Sequence, residues 1–588
     1  MTEPSTTQAA NLGPVLRGLF REAEAGRRDT EERWLRDLRQ YKGVYDPEVA
    51  ARLHPRRSKA FLRLTRAKVK AADARLMDVL FPGAGERNWS IAPTPVPEID
   101  VRRTGEIVAR LRLETGSDPG EREVAVALRA EASRACEAMQ REMEDQLAES
   151  RYREVVREVI HSGNLYGTGV LKGPLVSRVQ APAWTRGRNG AGWRLSVRER
   201  LRPFLEFVPL WDIYPDPAAR GLSEARFLFQ RHLMTRQDLL ALAARPDFDG
   251  AAIEAHLAAH PGGDAGIKAH ESGLAMAGPS QSLNQPSGRY EVLEFWGFLE
   301  PEELAAVGAV LDEDEGEAFA GAPANLWLLV DTVVKAVAAP LPGQRWPYHF
   351  YYFDKDETSI FGEGLASIMR DPQHLFNASV RAMLDNAAIS AGPQIEVNQD
   401  LLPEGEDPTD IHPFRVWLRS GAGLDAQYPA VRVSTLPSHA EELMAMARLF
   451  EAYAHETTGI PSAMHSEFDA AAGTVRGLSM LLSAASIALK DQIKHFDDGV
   501  TRPFITALYH WNMLFSDNEE LKGDYRVLAH GWSSLIAREL SVEQLDAFAA
   551  STANSLDAPF IRRGELLRRR AAARGLGEDI VRPDGEVQ

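Results

Sequence analysis

Two short runs in this chain bring acidic and imidazole side chains close enough to share a ligand. His465, Glu467 and Asp469 lie within MHSEFDAAAG, and Asp491, His495 and Asp498 fall at i, i+4, i+7, the spacing of one helical face. Three such groups could hold zinc, but solvated helix faces and polar loops carry the same pattern, and no metal is expected. FGEGLAS at 361–367 follows a strand-like run and opens a helix, where a phosphate-cradling glycine turn would sit. It lacks the third glycine and the repeated βαβ units of a dinucleotide fold, so it reads as a tight turn. The chain has no GxxxxGK[ST], no Gly-Lys pair, no HExxH and no GxSxG. The expectation is a protein that is not an enzyme, carries no cofactor and is not a nucleotide-driven motor.

Charge narrows the class further. Among 588 residues, 84 acidic and 67 basic side chains leave a net charge of −17, which argues against gripping nucleic acid by phosphate neutralisation. It does not argue against a smooth-walled conduit, where tight phosphate contacts would hinder sliding. The length exceeds what one core holds, so two to four packed modules are expected. No run of eighteen apolar residues marks a membrane span, and MTEPSTTQAANLGP lacks a basic-then-apolar signal. A lone cysteine, Cys136 in a helical pattern, excludes an intrachain disulfide and reads as a small buried hydrophobe in a reducing cytoplasm.

The elements that would position these residues are punctuated clearly. A helix is expected from Asp371 as N-cap, with Pro372 in its first turn, to the stop at Gly392 and Pro393. A second carries a Ser438–Glu441 capping box and a stripe of Leu443, Ala447, Phe450 and Ala454, ending at Gly459 before Pro461. A third opens near Thr474 with Leu478, Leu482, Ala485, Leu489, Ile493, Phe496, Val500, Phe504, Leu508 and Trp511 in register, kinked at Gly499 and Pro503. Upstream, residues 1–28 read as a loose arm. Amphipathic helices fill 30–80, carrying Trp34, Leu38, Tyr41, Phe61, Leu64, Leu76 and Leu80, and a long helical stretch covers 121–161. Alternation marks strands at 200–215 and 289–299, followed by the apolar strand NLWLLVDTVVKAV. The run 261–288 reads as an exposed loop, DEDEGE at 312–317 as an acidic turn, and 541–552 and 565–576 as short helices.

The order helix, proline-studded strands, helix ending FEAYAHETTGIP, loop, long bent helix resembles the portal protein of tailed double-stranded DNA bacteriophages, the head-to-tail connector ring. HSGNLYGTGVLKGP at 161–174, FVPLWDIYPDPAARG at 207–221 and PYHFYYFDKDETSIFGEGLASIMRDPQHLFN at 347–377 are similar to further stretches of that family, collinear from about 30 to 515. The resemblance implies a mainly helical α+β fold with wing, stem, clip and crown regions, closing into a ring, most often of twelve copies, around a central channel. It would place the flexible arm at 1–28, the wing at 29–370, the stem helices at 371–392 and 437–459 and the clip at 393–436. The tunnel loop would fall at 460–473, the long wing helix at 474–515 and the crown with its tail at 516–588.

Met464, His465, Glu467, Phe468 and Asp469 would then brush passing DNA, with an ordinary loop as the alternative. Arg415, Trp417 and Arg419 would dock partners at the clip, and Arg568, Arg569 and Arg570 would face DNA from the crown, a solvated helix being the plainer reading of the last. The implied partners are further copies of the chain, the terminase large subunit, head–tail adaptor and tail proteins, capsid and scaffolding proteins, and duplex DNA held without sequence preference; no membrane is implied. The implied location is the virion's portal vertex, reached through the host cytoplasm. The alternatives are another phage head–tail structural protein, such as an adaptor or minor head protein, or a helical metal- or nucleotide-dependent enzyme.

Overall fold

The computed structural model describes residues 6–81, 88–94, 101–115, 120–186, 193–277, 288–299, 323–338, 345–405, 431–460, 490–516, 518–529 and 548–552, with isolated positions at 407–429 and 561–567. In chain order the elements are α1 (Thr6–Gly26), α2 (Arg28–Lys42), α3 (Pro47–Arg52), α4 (Leu64–Leu80), β1 (Trp89–Pro93), α5 (Val101–Thr115), α6 (Glu121–Glu149) and α7 (Tyr152–Tyr166). Then come β2 (Thr168–Arg186), β3 (Trp193–Val208), β4 (Ile213–Pro215), β5 (Phe227–Thr235), α8 (Arg236–Ala243), α9 (Gly250–Ala259), α10 (Ala269–Ala277) and β6 (Arg289–Phe298). The rest are β7 (Pro323–Leu329), β8 (Thr332–Ala338), β9 (Tyr348–Tyr352), α11 (Arg370–Ser390), β10 (Gln394–Val397), β11 (Val431–Ser434), α12 (Ala440–Thr458), α13 (Arg502–Phe515) and β12 (Tyr525–Ala529). The fold is α+β.

The chain packs as two compact units: 1–38, 67–367 and 463–588 form one, and 39–66 with 368–462 form the other. In the first, antiparallel sheets of order β3-β2-β9 and β4-β5-β6-β7-β8 are joined by a separate β1-β12 pair. A helical core sets Leu76 and Leu80 of α4, Met139 and Met143 of α6 and Val156 and Ile160 of α7 against Phe496, Phe504 and Leu508, all essentially inaccessible. The apolar stripe expected on the third helix is therefore buried from Ile493 to Trp511; its earlier part lies outside the described residues.

The bend on that stripe takes a specific form. Residues 490–496 are helical, Asp497–Thr501 form a π-helical turn, and α13 restarts at Arg502 with Pro503 in its first turn, where a missing N–H costs no helical bond. A Cβ on Gly499 would lie 2.3 Å from the Phe350 carbonyl oxygen, so glycine lets the turn press onto β9.

Several expectations are corrected. Within the 1–28 arm, α1 is a helix whose Leu16, Phe20 and Ala23, at i, i+4, i+7, are buried against Tyr214, Phe229 and Phe295 of the five-stranded sheet. Small polar neighbours dilute that stripe in the sequence. The 121–161 helix is two, broken at Arg151, which adopts φ 56°. NLWLLVDTVVKAV is a hairpin, β7 turning at Val330 into β8, and the 261–288 loop contains α10. Tyr290 to Gly297 of β6 are buried on both faces, although the sequence alternates; Glu291 and Glu294, three apart and so on opposite faces, are neutralised by Arg231 and Lys172 from neighbouring strands.

Candidate functional site

The second unit is built around the polar residues of α11. Gln373, Asn377, Arg381 and Asp385 recur every four residues and hold the chain segment between α3 and α4, largely by its backbone. Gln373 Oε1 accepts from the Thr65 N–H (2.9 Å) and its Nε2 donates to Leu62 O (2.6 Å); Asn377 Oδ1 accepts from Leu62 N (3.0 Å) and Asp385 Oδ1 from Ser58 N (2.7 Å). Arg381 reaches the Tyr45 hydroxyl. This ladder was legible as a four-residue repeat of polar types, yet reading the helix only for its apolar positions passes over it.

α11 ends at Ser390, capped by Ala391, and α12 begins after His439, whose N–H donates to Asn386 Oδ1 at 2.8 Å, so the two helices run antiparallel as a hairpin. Neither expected N-terminal device forms. Met369 rather than Asp371 precedes α11, and the Ser438–Glu441 box is replaced by His439 with no side-chain cap. The C-terminal signal is realised: Gly459 caps α12 at φ 63°. Between the helices, among the described residues, β10 and β11 pair only with each other.

α12 carries two apolar stripes. Ala447 and Ala454 are buried with Leu443 and Phe450 beside them, as the sequence pattern requires. The other, Met446, Leu449 and Tyr453 at i, i+3, i+7, is 47%, 64% and 55% exposed, and Ile395 and Val433 of the ribbon are exposed too. A hairpin of two short strands is marginal in water on its own, and a contiguous exposed apolar stripe marks an association surface.

In the first unit the two glycine-marked runs meet. Gly167 caps α7 at φ 98°, and a Cβ there would fall 2.3 Å from Gly362 O; at Gly364 it would fall 2.4 Å from Leu165 O. Three N–H groups of the FGEG turn are spoken for: Phe361 N donates to Ser359 Oγ (3.1 Å), Gly362 N to Thr168 Oγ1 (2.8 Å) and Glu363 N to Asp354 O (2.8 Å). The turn thus locks backbone against backbone and does not present a phosphate cradle.

Beside it, Lys172 and Glu294 form a buried ion pair between the sheets at 2.5 Å. Lys172 Nζ also donates to Gln230 Oε1 (2.8 Å), His232 Nε2 lies 2.8 Å from Glu294 Oε2, and Trp296 Nε1 donates to Glu294 Oε1 (2.8 Å). Burial alone would raise the Glu294 pKa, but Lys172 and His232 outweigh it and hold it far below the usual carboxylate range. His349, buried with its Nε2 2.9 Å from Gly173 O, is pushed down to about 4 by desolvation, so it is neutral at physiological pH. Burial, with Glu137 nearby, pushes the Cys136 thiol up to about 11, keeping it an inert core residue.

Asp491, His495 and Asp498 do not converge. His495 Nε2 stands 3.7 Å from Asp491, while Asp498 pairs with Arg502 at 3.0 Å, and among the described residues no three histidine, cysteine or carboxylate groups are placed to hold a metal. Met464, His465, Glu467, Phe468 and Asp469, the clip residues Arg415, Trp417 and Arg419, and Arg568, Arg569 and Arg570 all lie outside the described residues, as does the acidic turn at 312–317. Among the described residues, no helix is long and apolar enough to cross a membrane. No protein-family model matches this chain, and no curated protein matches it either.

Proposed function

We propose that this chain is the subunit of a bacteriophage portal ring, a closed assembly at one capsid vertex through which duplex DNA is packaged and later ejected. The ring would dock the terminase and then adaptor and tail proteins. The observation that carries the reading is the second unit: an antiparallel helix pair joined by an isolated two-stranded ribbon, with the Met446–Leu449–Tyr453 stripe exposed on a helix whose other stripe is already buried. Such a surface needs a partner, and head-to-tail contact between identical copies generates a ring with an axial hole whenever the rotation closes. Chemistry supports a passive conduit. Residues 370–460 hold 13 carboxylates against six arginines, a composition that disfavours phosphate gripping and suits a sliding duplex. In this reading α11 and α12 are the stem, and the ribbon with the segment between its strands is the clip.

The test is native mass by light scattering on the sizing-column peak, with negative-stain images of the same fraction. Rings near 780 kDa, about twelve times the 65.0 kDa subunit, are expected. Particles that stay monomeric or dimeric at every concentration overturn the reading.

A further inference from the structure

The outer parts of β2 and β3 form a ribbon that, among the described residues, pairs with no other strand. β2 pairs with β9 only from Thr168 to Lys172, whereas β2 and β3 continue pairing with each other through Arg186 and Trp193. From Leu175 onward this is a two-stranded arm of twelve residues per strand, about 40 Å long at roughly 3.3 Å per residue. Arg178, Val197 and Arg200 on it are exposed.

Its composition inverts that of the chain. Residues 175–186 and 193–204 contain six arginines, Arg178, Arg186, Arg194, Arg198, Arg200 and Arg202, no lysine, and one acidic residue, Glu199. That is a formal +5 in a protein of −17, leaving −22 for everything else. Register arranges the charge. Arg194, Arg198, Arg200 and Arg202 occupy even-numbered register positions of one strand, paired with Thr185, Ala181, Val179 and Ser177 of β2. Arg202, at the base, pairs with Glu149 at 3.1 Å, while among the described residues Arg178 and Arg200 meet no carboxylate.

We infer that this arm binds the phosphate backbone of double-stranded nucleic acid. A two-stranded β-ribbon fits a major groove about 12 Å wide, and arginine is the cation suited to bidentate phosphate contact. The acidic remainder of the chain does not cancel the interaction: with a Debye length of about 8 Å at physiological ionic strength, the far end of a 40 Å ribbon is screened from the sheet it leaves. Net charge, which argues against phosphate gripping for the chain as a whole, is thus overridden locally. The inference stands without the ring reading, because it needs only one copy of the arm.

The experiment measures binding of the full-length protein to a fluorescent 30-base-pair duplex by anisotropy from 50 to 200 mM salt, with native mass recorded in parallel. Three proteins are compared: wild type, the arm variant Arg194→Gln/Arg198→Gln/Arg200→Gln, and a charge-matched control, Arg129→Gln/Arg134→Gln/Arg141→Gln, on exposed positions of α6. The arm variant should bind at least tenfold more weakly at the lowest salt, and its slope of log affinity against log salt should fall by about 2.7, three contacts at about 0.9 each. The control should match wild type. The inference is overturned if wild type does not bind, if the arm variant binds like wild type, or if both variants weaken equally. It is also overturned if the arm variant changes only the native mass, which would make the arm a contact between copies.

Discussion

At the scale of single residues, the buried charges of the first unit are tuned by their neighbours and set how stability responds to pH and substitution. Glu294 has a depressed pKa because Lys172 and His232 outweigh its burial. Its contribution is therefore complete above the unfolded carboxylate range and is lost as pH falls below about 4.5. Glu294→Gln should cost about 3 kcal/mol in urea unfolding, since it leaves the buried Lys172 ammonium with only the longer carboxylate contact to Glu206 at 3.6 Å, and adding Lys172→Met should recover a large part of that loss. His349 works in a higher window. Folded, it resists protonation down to about 4, while the unfolded chain takes up a proton near 6.5, so stability should fall by about 3 kcal/mol between pH 6.5 and 4. His349→Gln, whose amide can still donate to Gly173 O, should flatten that part of the stability–pH profile; an unchanged slope would assign it to other groups.

At the scale of elements, glycines and the second stripe of α12 give separable expectations. Gly364→Ala would press a methyl onto Leu165 O and Gly499→Ala one onto Phe350 O, so each should lower the melting temperature markedly, by several degrees at least. Surface charge on α12 should act otherwise. Leu449→Glu with Tyr453→Glu replaces exposed side chains, so the unfolding midpoint of the isolated subunit should move little, while the particle seen by light scattering should shrink toward 65.0 kDa. Loss of folding rather than of assembly would show that the stripe serves the subunit's own core.

For the whole molecule, what could be read in advance follows from how local the determining forces are. The C-terminal end of α12 at Gly459 and the buried run from Ile493 to Trp511 were legible because capping and helical period are written within a few residues. α1 was not, because its stripe of Leu16, Phe20 and Ala23 acquires meaning only when Phe229 and Phe295 arrive to cover it. The ion pair of Lys172 and Glu294 joins residues 122 positions apart, and nothing at either position announces the other. The glycine runs at 163–169 and 361–364 were each visible as turns, but their mutual contact is tertiary. Of the candidate site, the helix pair was foreseen, whereas the polar ladder of α11 and the pairing that gathers arginines onto the β2–β3 arm emerged only once register and packing were known.

The first unit is closed by residues far along the chain: β1 pairs with β12, Pro93 opposite Tyr525, and Phe504 and Leu508 complete the core of α6 and α7. A ribosome adding about 5–20 residues per second needs roughly 20–90 s to travel between those two strands. Throughout that interval the nascent polypeptide holds Trp89 and Ile91 beside half of a core, with an open strand edge and no mate. Such an intermediate is a natural client for a holding chaperone, and pulse-labelled chains arrested before residue 496 should remain protease-sensitive in α6 and α7, whereas released full-length chains resist.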